Sequence, residues 1–342
     1  MESTPRTASE WAAACRAGDR RALSRLITLL ESGDAQESAA ASAALASFDF
    51  PRHVIGITGP PGAGKSTLID YLAGLSLARP PARQIAILAI DPSSPFTGGA
   101  LLGDRIRMSS LRNEPRVFIR SMGSRGASGG MAAAAGGALR ALGAAGFDTV
   151  FLETVGAGQA ETEIANLAHT VCVVQVPGLG DEVQLMKMGI LEAADVFAVN
   201  KGDKPEAADL KTRLELAIAE NPDASCRALK QLGKKFAAQF DGPRWTPPVI
   251  LLSAVRRDLF PNGGSALLDA FDAHRAYIDQ PGLRDALKKN RTAREILARA
   301  EHLFHTRAQE RLEDGEFDAL TEAYVNGTIG LDDAAKEVLK DK

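Results

Sequence analysis

The sequence is poor in the residues that build disulfide, metal and secretory chemistry. Its 342 residues include three cysteines, Cys15, Cys172 and Cys226. They stand far apart, without a CxxC pair or a zinc-ligand spacing, so a reducing compartment is expected. Five scattered histidines and no paired cysteines argue against a metal-delivery protein built on a His/Cys cluster. Neither sign of charge is in excess: the formal net charge is −3, which leaves no basic footprint for nucleic acid. The N-terminus, with Glu2, Arg6, Glu10 and Trp11, lacks the apolar core of a secretory signal. The least polar long stretch, Met131 to Phe147, is Ala/Gly-rich, broken by Arg140 and too short to span a bilayer. A cytoplasmic globular protein with neither nucleic-acid nor membrane partners is expected.

What is present is a pattern that changes twice along the chain. From Ser9 to Leu45, Trp11, Ala14, Leu23, Ile27 and Leu30 recur at helical spacing, with breaks at Gly18-Asp19 and Gly33-Asp34. Pro51 marks a boundary. Short apolar runs then alternate with helical stretches: Val54–Thr58, Ile85–Ile90, Val117–Ile119, Thr149–Leu152, Val171–Val176, Val196–Val199 and Val249–Leu252. Strands alternating with helices predict an α/β fold with a mostly parallel sheet flanked by helices. Ligands of such sheets bind at the carboxyl ends of the strands. After Tyr277 the strand signals stop. Ala293 to Leu312 presents one apolar helical face (Ile296, Leu297, Ala300, Leu303, Phe304, Ala308, Leu312), and two shorter helices follow. The expected organisation is an N-terminal helical extension (1–50), a nucleotide-binding domain (51–278) and a helical C-terminal segment (279–342). That segment either packs on its own domain or projects as a dimerisation arm.

Gly59-Pro60-Pro61-Gly62-Ala63-Gly64-Lys65-Ser66-Thr67 fits GxxxxGK[ST], between a strand and an apolar helix. The glycines let backbone N–H groups turn inward around phosphates at a helix N-terminus. Lys65 is expected to neutralise the β- and γ-phosphates and the Ser66 hydroxyl to bind Mg²⁺. Asn200-Lys201-Gly202-Asp203 fits NKxD after a later strand. A carboxylate there accepts the paired N–H donors of guanine, which adenine lacks, so GTP or GDP is the expected nucleotide. Ser253-Ala254-Val255, after the last strand, is placed for a further backbone contact to the base. Three carboxylates, Asp91, Asp104 and Glu153, lie at strand ends or in a Gly-rich loop and are candidate Mg²⁺-site acids. Asp104 also reads as a solvated loop residue. Gly156 is placed to reach the γ-phosphate through its N–H. Gln159 either orients the attacking water or is a polar residue opening a helix.

The segments GPPGAGKST (Gly59–Thr67), DPSSPFTGGALLGDRIRM (Asp91–Met108), SRGASGG (Ser124–Gly130), ETVGAGQAE (Glu153–Glu161), GDEVQLMKMGILEAADVFAVNKGD (Gly180–Asp203) and Ser253-Ala254 resemble the MeaB/ArgK/MMAA family. These are G-protein chaperones of cobalamin-dependent acyl-CoA mutases. The resemblance covers nearly the whole chain. It implies a SIMIBI-class P-loop NTPase domain, a homodimer joined by the C-terminal arm, and GTP hydrolysis that gates adenosylcobalamin loading into a mutase such as methylmalonyl-CoA mutase. A cobalamin adenosyltransferase is a further implied partner, and cobalamin is met only through the client enzyme. By the same resemblance Asp91, Asp104 and Glu153 fall at the Mg²⁺-site acids. Asp181, Glu182, Gln184 and Lys187 fall in a segment that senses the mutase; read from the residues alone, Lys187 is an ordinary surface lysine. Ala100 stands where family members often carry serine, and Asp279 to Thr292 reads as a short, unusually basic segment before the C-terminal helix. The alternatives are a P-loop small-molecule kinase and a GTPase of another metalloenzyme maturation pathway. NKxD argues against the first and the missing His/Cys cluster against a nickel-delivery form of the second.

Overall fold

The computed structural model describes residues 6–32, 34–80, 83–91, 109–111, 113–123, 130–154, 166–178, 190–221, 226–313 and 315–339. The chain opens with α1 (Ala8–Arg16), α2 (Arg20–Leu30) and α3 (Ala35–Leu45). Thr7 and Glu10 form a reciprocal capping box at α1. Asp19 and Asp34 accept the first backbone N–H groups of α2 and α3, so the two expected breaks are helix starts.

Among the described residues, seven strands form one sheet: β1 (His53–Thr58), β2 (Ile85–Asp91), β3 (Val117–Gly123), β4 (Thr149–Thr154), β5 (Thr170–Gln175), β6 (Val196–Val199) and β7 (Val249–Leu251). Their order is β3-β2-β4-β1-β5-β6-β7, and every pairing is parallel. Each expected apolar run is a strand. β3 continues past its expected end at Ile119, because its polar continuation is packed: Met122 is buried and Arg120 pairs with Glu31 at 2.6 Å.

The helices between strands are α4 (Lys65–Ala78), α5 (Gly130–Ala144), α6 (Ile190–Ala193), α7 (Ala207–Glu220), α8 (Arg227–Leu232) and α9 (Lys234–Gln239), and α10 (Gly263–Ile278) follows β7. Strand side chains alternate between the two faces. Val54, Val150, Leu152, Val171 and Val173 point to a core shared with α1, α2, α3, α5 and α7. Ile55, Ile57, Phe151, Cys172 and Val174 point to a core shared with α4 and α10. A buried Leu, Ile or Phe stabilises by about 1.5–3 kcal/mol. Leu23, Leu26 and Ile27 of α2 are fully buried, so the N-terminal helices are part of the sheet's covering layer. β1 lies between β4 and β5, with the earlier strands to one side and the later ones to the other. The crevice above its carboxyl end is the reversal point where open α/β sheets bind ligands.

The C-terminal segment consists of α11 (Leu283–Glu313), α12 (Asp318–Val325) and α13 (Leu331–Leu339). The expectation of a basic segment ahead of a helix near Ala293 needs correction: 283–292 are the opening turns of α11. Leu283 is buried with Tyr277 and Ile278, Arg291 covers the Phe50 ring, and Glu295 pairs with Arg140 of α5. Beyond Glu295 the apolar positions emerge: Ile296, Leu297, Leu303, Phe304 and Leu312 are exposed. Among the described residues no helix is long and apolar enough to cross a membrane.

Candidate functional site

The loop between β1 and α4 requires glycine at its first position. Gly59 has φ +139, and a Cβ there would stand 2.2 Å from the Val174 carbonyl oxygen of neighbouring β5. Only a residue without a side chain lets the loop turn this close to the adjacent strand. Gly64 is the N-cap of α4, and no side chain caps the helix. The opening N–H groups of α4 are therefore left to an anionic ligand, favoured there by the helix dipole.

Lys65 opens α4 and is only 6% exposed. Its ammonium donates to the carbonyls of Gly59 at 2.8 Å and Pro60 at 3.2 Å. It is thus folded over the loop that is expected to cradle the phosphates it neutralises. Ser66 Oγ donates to Glu153 Oε1 at 2.6 Å, and Glu153, at the end of β4, is 5% exposed. Two residues far apart in sequence thereby place a hydroxyl and a carboxylate side by side beneath the loop. Hard oxygen donors of this kind suit Mg²⁺, which takes few protein ligands and completes its shell with phosphates and waters. Thr67 is exposed in the first turn of α4. Asp91 ends β2.

The second motif is joined to the first. Asn200 follows β6 and is 3% exposed. Its Nδ2 donates to the Ala63 carbonyl at 2.8 Å, and its Oδ1 accepts the Ala254 N–H at 3.0 Å. One side-chain amide therefore ties the phosphate loop to the segment after β7. Lys201 has φ 55, a left-handed conformation rare outside glycine, and its Nζ donates to the Gly62 carbonyl at 2.9 Å. Gly202 donates its N–H to the Leu252 carbonyl at 2.9 Å, and a Cβ there would meet Phe260 at 2.8 Å and the Leu252 oxygen at 2.9 Å. Asn200 and Lys201 thus face the loop while the next residue, Asp203, is exposed. A hydrogen bond from Ser253, then one from its own backbone N–H, lowers the Asp203 pKa. It stands as a carboxylate acceptor near neutral pH. Ser253 and Ala254 are buried and Val255 is exposed. The Ala254 N–H is engaged by Asn200 and its carbonyl by Arg257 at 2.9 Å.

Lys65, Ser66, Glu153, Asn200, Lys201, Ser253 and Ala254 are thus drawn together at the carboxyl edge. The side chain of Asp91, and Asp104, Gly156, Gln159, Asp181, Glu182, Gln184 and Lys187, lie outside the described residues. Sequence reading gave Asn200 and Ser253 no part in holding the site; the signal was the NKxD motif paired with Ser-Ala after the following strand. Asp203→Asn is expected to lower GTP-over-ATP selectivity by at least about 100-fold, because the amide presents donors where guanine requires acceptors. Competition titrations with the two nucleotides measure this, and unchanged selectivity would contradict the role of Asp203.

The chain is similar to known proteins. The profile of the family described as methylmalonyl Co-A mutase-associated GTPase MeaB matches residues 23–313. A Pyrococcus abyssi protein bearing a GTPase name is 39% identical over 324 residues, 95% of this chain and 93% of its own. GTPase ArgK of Escherichia coli is 37% identical over 245 residues, 71% of this chain and 69% of its own. A crystallised protein described as LAO/AO transport system kinase superposes with a TM-score of 0.63 at 25% identity, covering 98% of both chains. A Geobacillus kaustophilus protein named as a fused isobutyryl-CoA mutase is 33% identical over 306 residues, 86% of this chain and 28% of its own. With a phosphate loop, a Ser–Glu pair and an NKxD clamp on a seven-stranded parallel sheet, the chain belongs to the MeaB family of P-loop GTPases.

Proposed function

We propose that this GTPase is a chaperone that gates adenosylcobalamin loading into a cobalamin-dependent acyl-CoA mutase and protects and reactivates that enzyme. The fused relative carries the proposal: most of this chain matches 28% of a protein named as a fused isobutyryl-CoA mutase. There a segment 33% identical to this chain lies within a polypeptide named as a mutase. The client proposed here is methylmalonyl-CoA mutase or a relative, met in the cytoplasm.

In this reading Lys65 neutralises the phosphates, Asp203 selects guanine and Gly156 reaches the γ-phosphate through its N–H. Ser66 and Glu153, joined by Asp91 and Asp104, would hold Mg²⁺, which when bound supplies positive charge at the β- and γ-phosphate oxygens. Gln159 orients the attacking water. Asp181, Glu182, Gln184 and Lys187 sense the mutase. Cobalamin contacts belong to the client, with a cobalamin adenosyltransferase supplying the cofactor. The exposed apolar residues of α11 pair two copies of the chain into a homodimer.

A second reading, a small-molecule kinase, draws on the crystallised neighbour described as LAO/AO transport system kinase. The two differ in the acceptor of the γ-phosphate, water or a small molecule.

The test is the GTPase rate of the purified chain with and without methylmalonyl-CoA and isobutyryl-CoA mutases, alongside capture of each. Alone, turnover is expected to be slow, on the order of 10⁻⁴ to 10⁻² s⁻¹ as in GTPases awaiting a partner's contribution. One mutase should be captured and should accelerate hydrolysis at least about tenfold. Fast hydrolysis by the chain alone, or no capture and no acceleration by either mutase, would contradict the proposal.

A further inference from the structure

A second concave feature lies at the opposite edge of the sheet from the nucleotide site. A cavity of about 380 Å³ opens where the residues preceding β1 and β5 meet α8, α10 and the first turns of α11. β1 separates it from the phosphate loop by about 20 Å, at ~3.3 Å per residue. Its lining is cationic. Arg227 pairs with buried Asp195 at 2.6 Å, Arg275 with Asp279 at 2.8 Å, Lys288 with Asp49 at 2.9 Å and Arg284 with Asp285 at 3.7 Å. Two further lining cations, Arg52 and Arg291, form no direct ion pair among the described residues, and Arg291 feels Glu295 and Asp49 only at longer range. Glu295, one helical turn from Arg291, pairs with Arg140 through Oε2. The cavity therefore carries two positive charges in excess.

Arg291 is the informative residue. Its guanidinium lies 4.6 Å from the Phe50 ring centroid, and its Nη1 stands 2.7 Å from His169 Nε2. His169 Nδ1 already accepts the Val54 N–H at 2.9 Å. A neutral imidazole has one acceptor nitrogen, and burial, then the Arg291 charge, keeps His169 neutral. Arg291 Nη1 asks for Nε2 as an acceptor while the Val54 N–H asks for Nδ1, and one neutral ring cannot serve both. The contact is short of one acceptor, and leaving a half-buried donor without one is costly. An anionic oxygen beside Arg291 would supply it, accepting from the guanidinium and from a proton on Nε2 while Nδ1 serves Val54.

We propose that this cavity binds a small phosphorylated molecule, its phosphate held by Arg291, His169 and Arg52. Two surplus charges match a phosphate dianion, and the planar guanidinium fork suits phosphate oxygens. The volume exceeds what a lone phosphate fills and falls among small-molecule sites of roughly 300–1,000 Å³. Phe50, Ile278 and Leu287 on the walls would take an organic portion. No nucleotide chemistry is needed for this site, so it stands apart from the GTPase cycle.

The test uses the full chain saturated with GDP and Mg²⁺, so that the phosphate loop is occupied. Inorganic phosphate, pyrophosphate and glucose 6-phosphate are titrated at constant ionic strength, with glucose as the uncharged control. Calorimetry and the ring ¹⁵N signals of His169 are the readouts. Glucose 6-phosphate should bind and shift the His169 resonances, glucose should do neither, and Arg291→Ala should weaken binding by at least about tenfold. Because Arg291 also seats α11, Arg52→Ala, at an exposed side chain, serves as the second variant with an expected loss of about fivefold. GDP affinity should be unchanged in both variants. Absence of binding by all three phosphate compounds, or equal binding to the Arg52→Ala/Arg291→Ala double variant, would overturn the proposal.

Discussion

Lys65→Ala is expected to weaken GDP and GTP binding by about 100-fold or more while leaving the chain folded. The ammonium is held over the phosphate loop by the Gly59 and Pro60 carbonyls and is nearly removed from water. Much of the cost of positioning and desolvating it is therefore met before nucleotide arrives, and its attraction to phosphate is screened less than at an exposed site. Its loss removes charge-assisted hydrogen bonds, each contributing about 1.5–3 kcal/mol. The fold should survive because Gly59, Ala63 and Asn200 hold the loop through separate contacts. Fluorescent GDP titration and a circular dichroism melt check both halves. Retained tight binding would remove Lys65 from the site.

The largest stability loss is expected from Arg227→Met. Asp195, just before β6, is 1% exposed. Its Oδ2 accepts the Val171 N–H at 2.8 Å and the Arg227 Nε–H at 2.8 Å, and His274 Nε2 lies 3.2 Å from its Oδ1. Burial pushes the Asp195 pKa up, but the Arg227 charge and His274 outweigh it, so the group titrates well below the usual carboxylate range. Removing the guanidinium strands a buried carboxylate, a loss of about 3–5 kcal/mol. The sign of the pH dependence follows. A carboxylate depressed in the folded state contributes stability that is present above its unfolded pKa of about 3.9 and lost as pH falls through the folded value. Without Arg227, protonation of Asp195 relieves the penalty. The difference between wild type and Arg227→Met should be largest near neutral pH and shrink in acid, as Asp195 of the variant takes up its proton before that of the wild type. Denaturant melts at pH 7 and in mild acid measure this, and a difference that grows in acid would contradict the pairing.

Much of this architecture is legible in the sequence because strands buried on both faces leave continuous apolar runs, such as Ile85–Ile90 and Val171–Val174. The start of α11 is not, since its inward face uses Leu283, Leu287 and the Arg291 guanidinium over Phe50. A guanidinium covering a ring carries no apolar period. At the site, the phosphate loop and the guanine motif were readable as separate local patterns. Their union through Asn200 was not, because Ala63 and Ala254 meet that amide only when β1, β6 and β7 are aligned. The amino-edge cavity left no motif at all: Arg52, His169 and Arg291 come from three distant segments.

The most direct test of the account is calorimetric titration of the wild-type chain with GDP and ADP in the presence of Mg²⁺. The Asp203 carboxylate, held by Ser253 beside a loop clamped by Asn200 and Lys201, predicts GDP binding at least about 100-fold tighter than ADP. Equal affinity for the two nucleotides, or binding of neither, would contradict the assignment of the carboxyl edge as a guanine-nucleotide site.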